Sequence, residues 1–128
     1  MKEPDHFVNE VSYKVIGAAL EVHRTLGPGF LESVYEEALC IGLRERGIQY
    51  VNQKVIDVAY KGFRVGESRL DIFVENCLIV ELKVVETLLP IHTAQVISYL
   101  KMTNLSLGLL INFNTSVLKN TIRRIALS

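Results

Sequence analysis

Two runs of alternating apolar residues, Leu70-x-Ile72-x-Val74 and Leu78-x-Val80-x-Leu82-x-Val84, constrain this chain more than anything else in it. Period-two alternation commits each run to a strand with one apolar face. Asp71, Glu81 and Lys83 interrupt strands whose composition otherwise reads as buried, so charges at these positions need a reason. Matching the apolar faces in a hairpin pairs Leu70 with Leu82, Ile72 with Val80 and Val74 with Leu78, around a loop of Glu75, Asn76 and Cys77. Asp71 then stands opposite Glu81, and Asn76 is the natural residue for a left-handed turn position. Slipping the register by one residue would put Glu81 and Lys83 on the face of Leu70, Ile72 and Val74, against the pattern.

Carboxylates directly opposed across a ladder repel, and a cation between them is the usual remedy. Lys83, two residues beyond Glu81, projects on the same side. Hard oxygen ligands so arranged suit Mg2+ or Mn2+, which take one or two carboxylates and keep waters and phosphate oxygens for the remaining positions. Such a centre could activate water against a phosphodiester, with Lys83 orienting or deprotonating that water or neutralising developing charge. The plainer alternative is a solvated strand face carrying ordinary surface charges.

A chain of 128 residues, 49% apolar and 22% charged, is expected to form one domain, spanning 1–128. Lys plus Arg and Asp plus Glu number 14 each, a neutrality that argues against a generic nucleic-acid coat but allows a local basic patch. No apolar run approaches the roughly 20 residues that span a bilayer. The N-terminal segment carries Glu3, Asp5, His6 and Glu10 where a signal peptide would be apolar, so a cytoplasmic protein away from membranes is expected. Cys40 and Cys77 fit reduced thiols.

Helical spacing of Val8, Val11, Val15, Ala18, Ala19, Val22 and Leu26 predicts a long amphipathic helix over about 4–26, ended by Gly27-Pro28-Gly29. A second helix is expected over about 31–46, stopped by Gly47. Strands follow over 48–60 and 63–74, joined at Lys61-Gly62 and leading into the hairpin. Pro90 opens a third helix to about Thr103, 105–113 reads as a strand, and 118–127 leans to strand while also fitting a helix. The expected class is α+β (α/β), a mixed central sheet flanked by helices in the order α-α-β-β-β-α-β-β.

On the second helix, Glu32 falls beside Leu39 and Leu43, at the edge of an apolar arc formed by Leu31, Val34, Tyr35, Ala38 and Gly42, whereas Glu36, Glu37 and Arg44 point elsewhere. Glu32 should therefore face the protein, as a third acid near the metal or as a carboxylate compensating the helix N-terminus. On the third helix His92, Gln95 and Tyr99 share one side, where Gln95 and Tyr99 could contact a phosphate or base, hold Lys83, or simply pack. His23 and His92 have no zinc spacing, and His23 reads as structural.

Asp71, Glu81-Leu82-Lys83 and then Gln95-Val96-Ile97-Ser98-Tyr99, in this order, resemble the PD-(D/E)XK nuclease superfamily, whose core is a restriction-endonuclease-like α-β-β-β-α-β arrangement. Gly29-Phe30-Leu31-Glu32-Ser33-Val34-Tyr35, with 23–35 and 108–113, resembles its GxxExxY group. The resemblance implies that Asp71 and Glu81 bind Mg2+ (or Mn2+) with the backbone carbonyl of Leu82, that Lys83 is the catalytic lysine, that Glu32 is a helix-borne acid, and that Gln95 and Tyr99 bind substrate. Leu70-Asp71 stands where the superfamily has proline-aspartate. The implied activity is metal-dependent hydrolysis of nucleic acid, DNA ahead of RNA. The competing reading is a nucleic-acid or protein-binding module that keeps the fold with little turnover. A homodimer or a partner could supply basic surface beyond Arg64, Arg69, Lys101, Lys119, Arg123 and Arg124.

Overall fold

A computed structural model describes residues 4–127; Glu3 lies outside them. The elements are α1 (His6–Leu26), α2 (Glu32–Glu45), β1 (Tyr50–Tyr60), β2 (Phe63–Val74), β3 (Leu78–Lys83), α3 (Pro90–Thr103), β4 (Leu107–Asn112) and β5 (Arg123–Ala126), with a short 3-10 turn at Leu118–Thr121 before β5. This is the expected order. The ambiguous tail divides between the 3-10 turn and the strand, and the strand expected from residue 48 begins at Tyr50. The five strands form one sheet in the order β1-β2-β3-β4-β5, with β3 and β4 parallel and the other neighbours antiparallel.

Local chemistry sets the helix ends. Asp5 caps α1 by accepting a hydrogen bond from Val8 N at 3.0 Å, and Gly27, at φ 68°, ends it where a side chain would be strained. Proline opens α3, and Asn104 closes it in the left-handed conformation. One sheet face packs on α1 and α2, burying Val15, Ala19, Tyr35, Leu39, Ile72 and Val80. On the other face α3 covers a smaller core of Ile56, Leu70, Ile79, Val96, Leu100 and Leu110. Gly108 on β4 makes that contact possible, because a Cβ there would lie 2.6 Å from Val96 Cγ1. Burial of these side chains contributes about 1.5–3 kcal/mol each, which ties both helical layers to the strands carrying the charges. Among the described residues no helix is long and apolar enough to cross a membrane.

The hairpin loop turns as expected, with Cys77 N donating to Val74 O, but Glu75 shares the left-handed conformation with Asn76 (φ 51° and 54°). The register also holds near the turn, pairing Ile72 with Val80 and Val74 with Leu78. Further from the turn it differs from expectation. The ladder stops at Ile72 and Val80, and Leu70 leaves the face of Ile72 to join Ile79 under α3. The cause lies in Asp71 and Glu81.

Candidate active site

Where the next rungs of the β2–β3 ladder would form, side chains take over. Glu81 Oε1 accepts a hydrogen bond from the backbone N of Asp71 at 2.9 Å, and Asp71 Oδ2 accepts one from the backbone N of Leu82 at 2.8 Å. Each carboxylate thus satisfies an amide of the opposite strand, replacing the pairing that alternation alone predicts for Leu70 and Leu82. Glu81 is only 3% exposed and Asp71 is half-buried. Asp71 is equally irregular on its other side: the β1–β2 pairing passes from Asn52–Ile72 to Lys54–Leu70, leaving out Gln53, which is itself left-handed at φ 54°. Non-glycine residues in that conformation carry strain and cluster at functional sites.

Lys83, half-buried, lies two residues along β3 and donates from Nζ to Gln95 Oε1 at 3.2 Å. Gln95 therefore holds the lysine, one of the roles open to it from sequence. Tyr99, one helical turn on, is half-buried; burial raises its phenol, and the charges of Glu81 and Asp71 raise it further, with Ser68 and Gln95 opposing. His92 belongs to the helix start, where its Nδ1 accepts from Leu89 N. His23 is buried against Phe113 and bonded to the Thr115 carbonyl at 2.8 Å, a structural position.

From the other layer, α2 brings Glu32 to the same centre. Gly29, at φ 110°, lets the chain turn into the helix, and the Tyr35 hydroxyl fastens that turn by donating to Gly27 O at 2.5 Å and accepting from Phe30 N at 3.2 Å. Tyr35 is fully buried and its ring stacks on Phe113 at 4.6 Å. The spacing of Gly29, Glu32 and Tyr35 is thereby explained: the glycine makes the turn, the tyrosine locks it, and Glu32 sits on the first helical position between them. Although exposed, Glu32 has its carboxyl raised by partial desolvation and then by Asp71, with Lys83 opposing. The wheel-based arc needs correction, because Leu31 is 75% exposed and Val34 37%. Leu31 is the residue before the helix and Val34 lies in its first turn.

Glu36 also needs correction. It faces the site rather than away, accepting from Gln53 Nε2 at 2.8 Å and from Asn52 Nδ2 at 3.4 Å, and its carboxyl is raised by burial with Asp71 adding to the effect. The left-handed kink at Gln53 turns β1 toward α2 and makes this contact. No motif marks Gln53, and Glu36 lies one turn from Glu32, a spacing that gives the only sequence signal for it.

Burial is the main reason the Glu81 carboxyl is pushed up to about 8, with Asp71 next and Lys83 opposing. Asp71 is also raised by burial, and the Leu82 amide and Lys83 pull it back. Two carboxylates this close, in a partly dry site with one lysine held by Gln95, form a centre short of positive charge. Among the described residues no three His, Cys, Asp or Glu side chains converge as a metal cage. The oxygen donors of Asp71 and Glu81 suit a hard divalent cation that completes its shell with water and phosphate oxygens.

The family model of the PD-(D/E)XK nuclease superfamily matches residues 9–125. A solved structure similar to this one is an alkaline exonuclease from Laribacter hongkongensis, with a TM-score of 0.54 at 13% identity, covering 100% of this chain and 73% of that one. No curated protein sequence matches the chain.

Proposed function

Because the chain belongs to the PD-(D/E)XK nuclease superfamily, we propose that it hydrolyses phosphodiester bonds of nucleic acid in a divalent-metal-dependent reaction, with DNA the substrate to test ahead of RNA. The observation that carries this reading is the interlock of Asp71 and Glu81 with Lys83 beside them. Asp71, Glu81 and the Leu82 carbonyl would hold Mg2+, or Mn2+ in its place. When bound, the cation supplies Lewis acidity and a water of lowered pKa. Lys83 places its ammonium where the attacked phosphate gathers charge, and Gln95 keeps it there. Glu32 borders the same space from α2 and orients water or a water-bridged ligand, while Tyr99 and Gln95 present polar groups to the strand being cut. The similar alkaline exonuclease supports this reading through its fold. We place the chain in the GxxExxY group on the Gly29, Glu32 and Tyr35 arrangement, and read 1–128 as one nuclease-like unit.

The test incubates purified protein with single-stranded, duplex and branched DNA and with RNA, in Mg2+ or Mn2+. Metal-dependent cutting that Asp71→Asn and Lys83→Ala abolish is expected. If wild type cuts nothing, or the variants cut equally well, the reading is lost.

A further inference from the structure

The β1–β2 ribbon runs well past the rest of the sheet. β2 pairs with β3 only from Ile72 to Val74, whereas its pairing with β1 continues to Tyr60 and Phe63 at the turn. From Asp57 to Glu67 no residue is buried. An isolated two-stranded ribbon is marginal in water, and apolar side chains at its tip gain nothing from folding alone. Yet Tyr60 and Phe63 are 62% and 74% exposed, and as a directly opposed pair they share one face. Lys61 Nζ lies 5.3 Å from the centre of the Tyr60 ring.

The face matters. Along β1, Ile56, Val58 and Tyr60 alternate onto one side, and Ile56 is buried under α3, the helix that carries Gln95 and Tyr99. The aromatic pair is thus the uncovered continuation of the surface that bears the lysine clamp. On the opposite side Arg64 bonds both Asp57 and Glu67 at 2.9 Å, so the ribbon's two carboxylates are neutralised away from that surface. With Arg64 engaged by those two acids, Lys54 and Lys61 remain, among the described residues, free of carboxylate partners on the aromatic side of the ribbon, and Arg69 lies on the other side opposite Val55. An exposed aromatic pair beside unpaired basic charge complements a single-stranded nucleic acid, which alone offers both free base faces and phosphates.

We propose that the ribbon tip is a second contact for the substrate strand, with Phe63 and Tyr60 stacking on unpaired bases and Lys61 meeting the adjoining phosphate. This rests on the reading that nucleic acid crosses the Asp71 and Glu81 centre. Eight residues of strand separate Phe63 from Asp71, about 26 Å, or at most about eight nucleotides of stacked strand. The tip would favour substrates with an unpaired stretch at that distance from the bond being cut.

The test measures binding of fluorescein-labelled oligothymidylates of about 16 and about 4 nucleotides in Ca2+ by anisotropy, then cleavage in Mg2+, for wild type and Tyr60→Ala/Phe63→Ala. Because both rings are exposed, the melting temperature should not change. Expected is a roughly 10- to 100-fold loss of affinity for the long strand and a matching rise in KM with kcat retained, the short strand being unaffected. Equal binding of the long strand by wild type and variant overturns the proposal. So does an equal loss on blunt duplex, whose base faces are hidden, or a wild-type dimer that the variant splits, which would mean that a second copy covers the rings. Ring-dependent binding without cutting supports the ribbon contact and removes the nuclease reading instead.

Discussion

Strand β2 takes part in two pairs of facing carboxylates, and their environments are opposite. Asp57 and Glu67 face each other in the exposed ribbon, and Arg64 forks between them at 2.9 Å to each. Asp71 and Glu81, at the inner end, face each other in a partly dry site where, among the described residues, the cation beside them is Lys83, held by Gln95. Opposition across strands therefore does not by itself leave a pair of acids short of positive charge. Burial, backbone engagement and the lack of an arginine fork distinguish the inner pair, and those features leave it wanting a cation.

The largest effect is expected from removing the inner chemistry while leaving the outer pair alone. Asp71→Asn and Lys83→Ala should each lower kcat by about 100-fold or more in a cleavage assay, with circular dichroism unchanged. Next in size is the effect of pH on the metal-free protein. The unfolded chain gives up the Glu81 proton near 4.5, while the folded protein keeps it to about 8. This contribution to stability is full below about 4.5 and is lost as pH rises through about 8. Melting in EDTA across this window should show stability falling with pH, and Glu81→Gln should flatten the fall and melt roughly 3–6 °C higher at neutral pH while losing activity.

Smaller effects come from the residues that deliver the helices. Gly108→Ala forces Val96 to give way and should cost about 1–3 kcal/mol by denaturant titration, with a several-fold drop in kcat as α3 carries Gln95 off the lysine. Tyr35→Phe keeps the ring stack but frees the turn before Glu32, and about 1–2 kcal/mol of stability should go with it in the same titration. Arg64→Ala stands at the bottom. In thermal melts it should be indistinguishable from wild type, since an exposed ion pair adds little. A large Arg64 effect would erase the contrast between the two pairs.

Much of this was legible in the sequence, for physical reasons. Period-two alternation sets which residues pair near the turn, so Ile72 and Val80 were readable, and the punctuation at Gly27, Gly62 and Pro90 placed most element ends. The failures share one cause. Periodicity describes backbone pairing and is blind to a side chain that takes a backbone's place, so it extended the ladder to Leu70 and Leu82 when the carboxylates had already replaced those rungs. The left-handed Gln53, whose side chain bonds Glu36, has no signature in residue type.

The interlock also bears on how a chain of this kind could lose its chemistry. Asp71 and Glu81 each hold a main-chain amide of the neighbouring strand, so truncating either leaves a donor unsatisfied in the middle of the sheet, at about 1–3 kcal/mol. Among the described residues the Lys83 ammonium bonds a side chain of α3 and no main-chain group. A descendant that had abandoned catalysis would be under structural pressure to keep both acids and under almost none to keep the lysine. In this architecture an intact pair of carboxylates testifies first to the sheet, and it is the lysine beside them whose loss would bear on the proposed reaction.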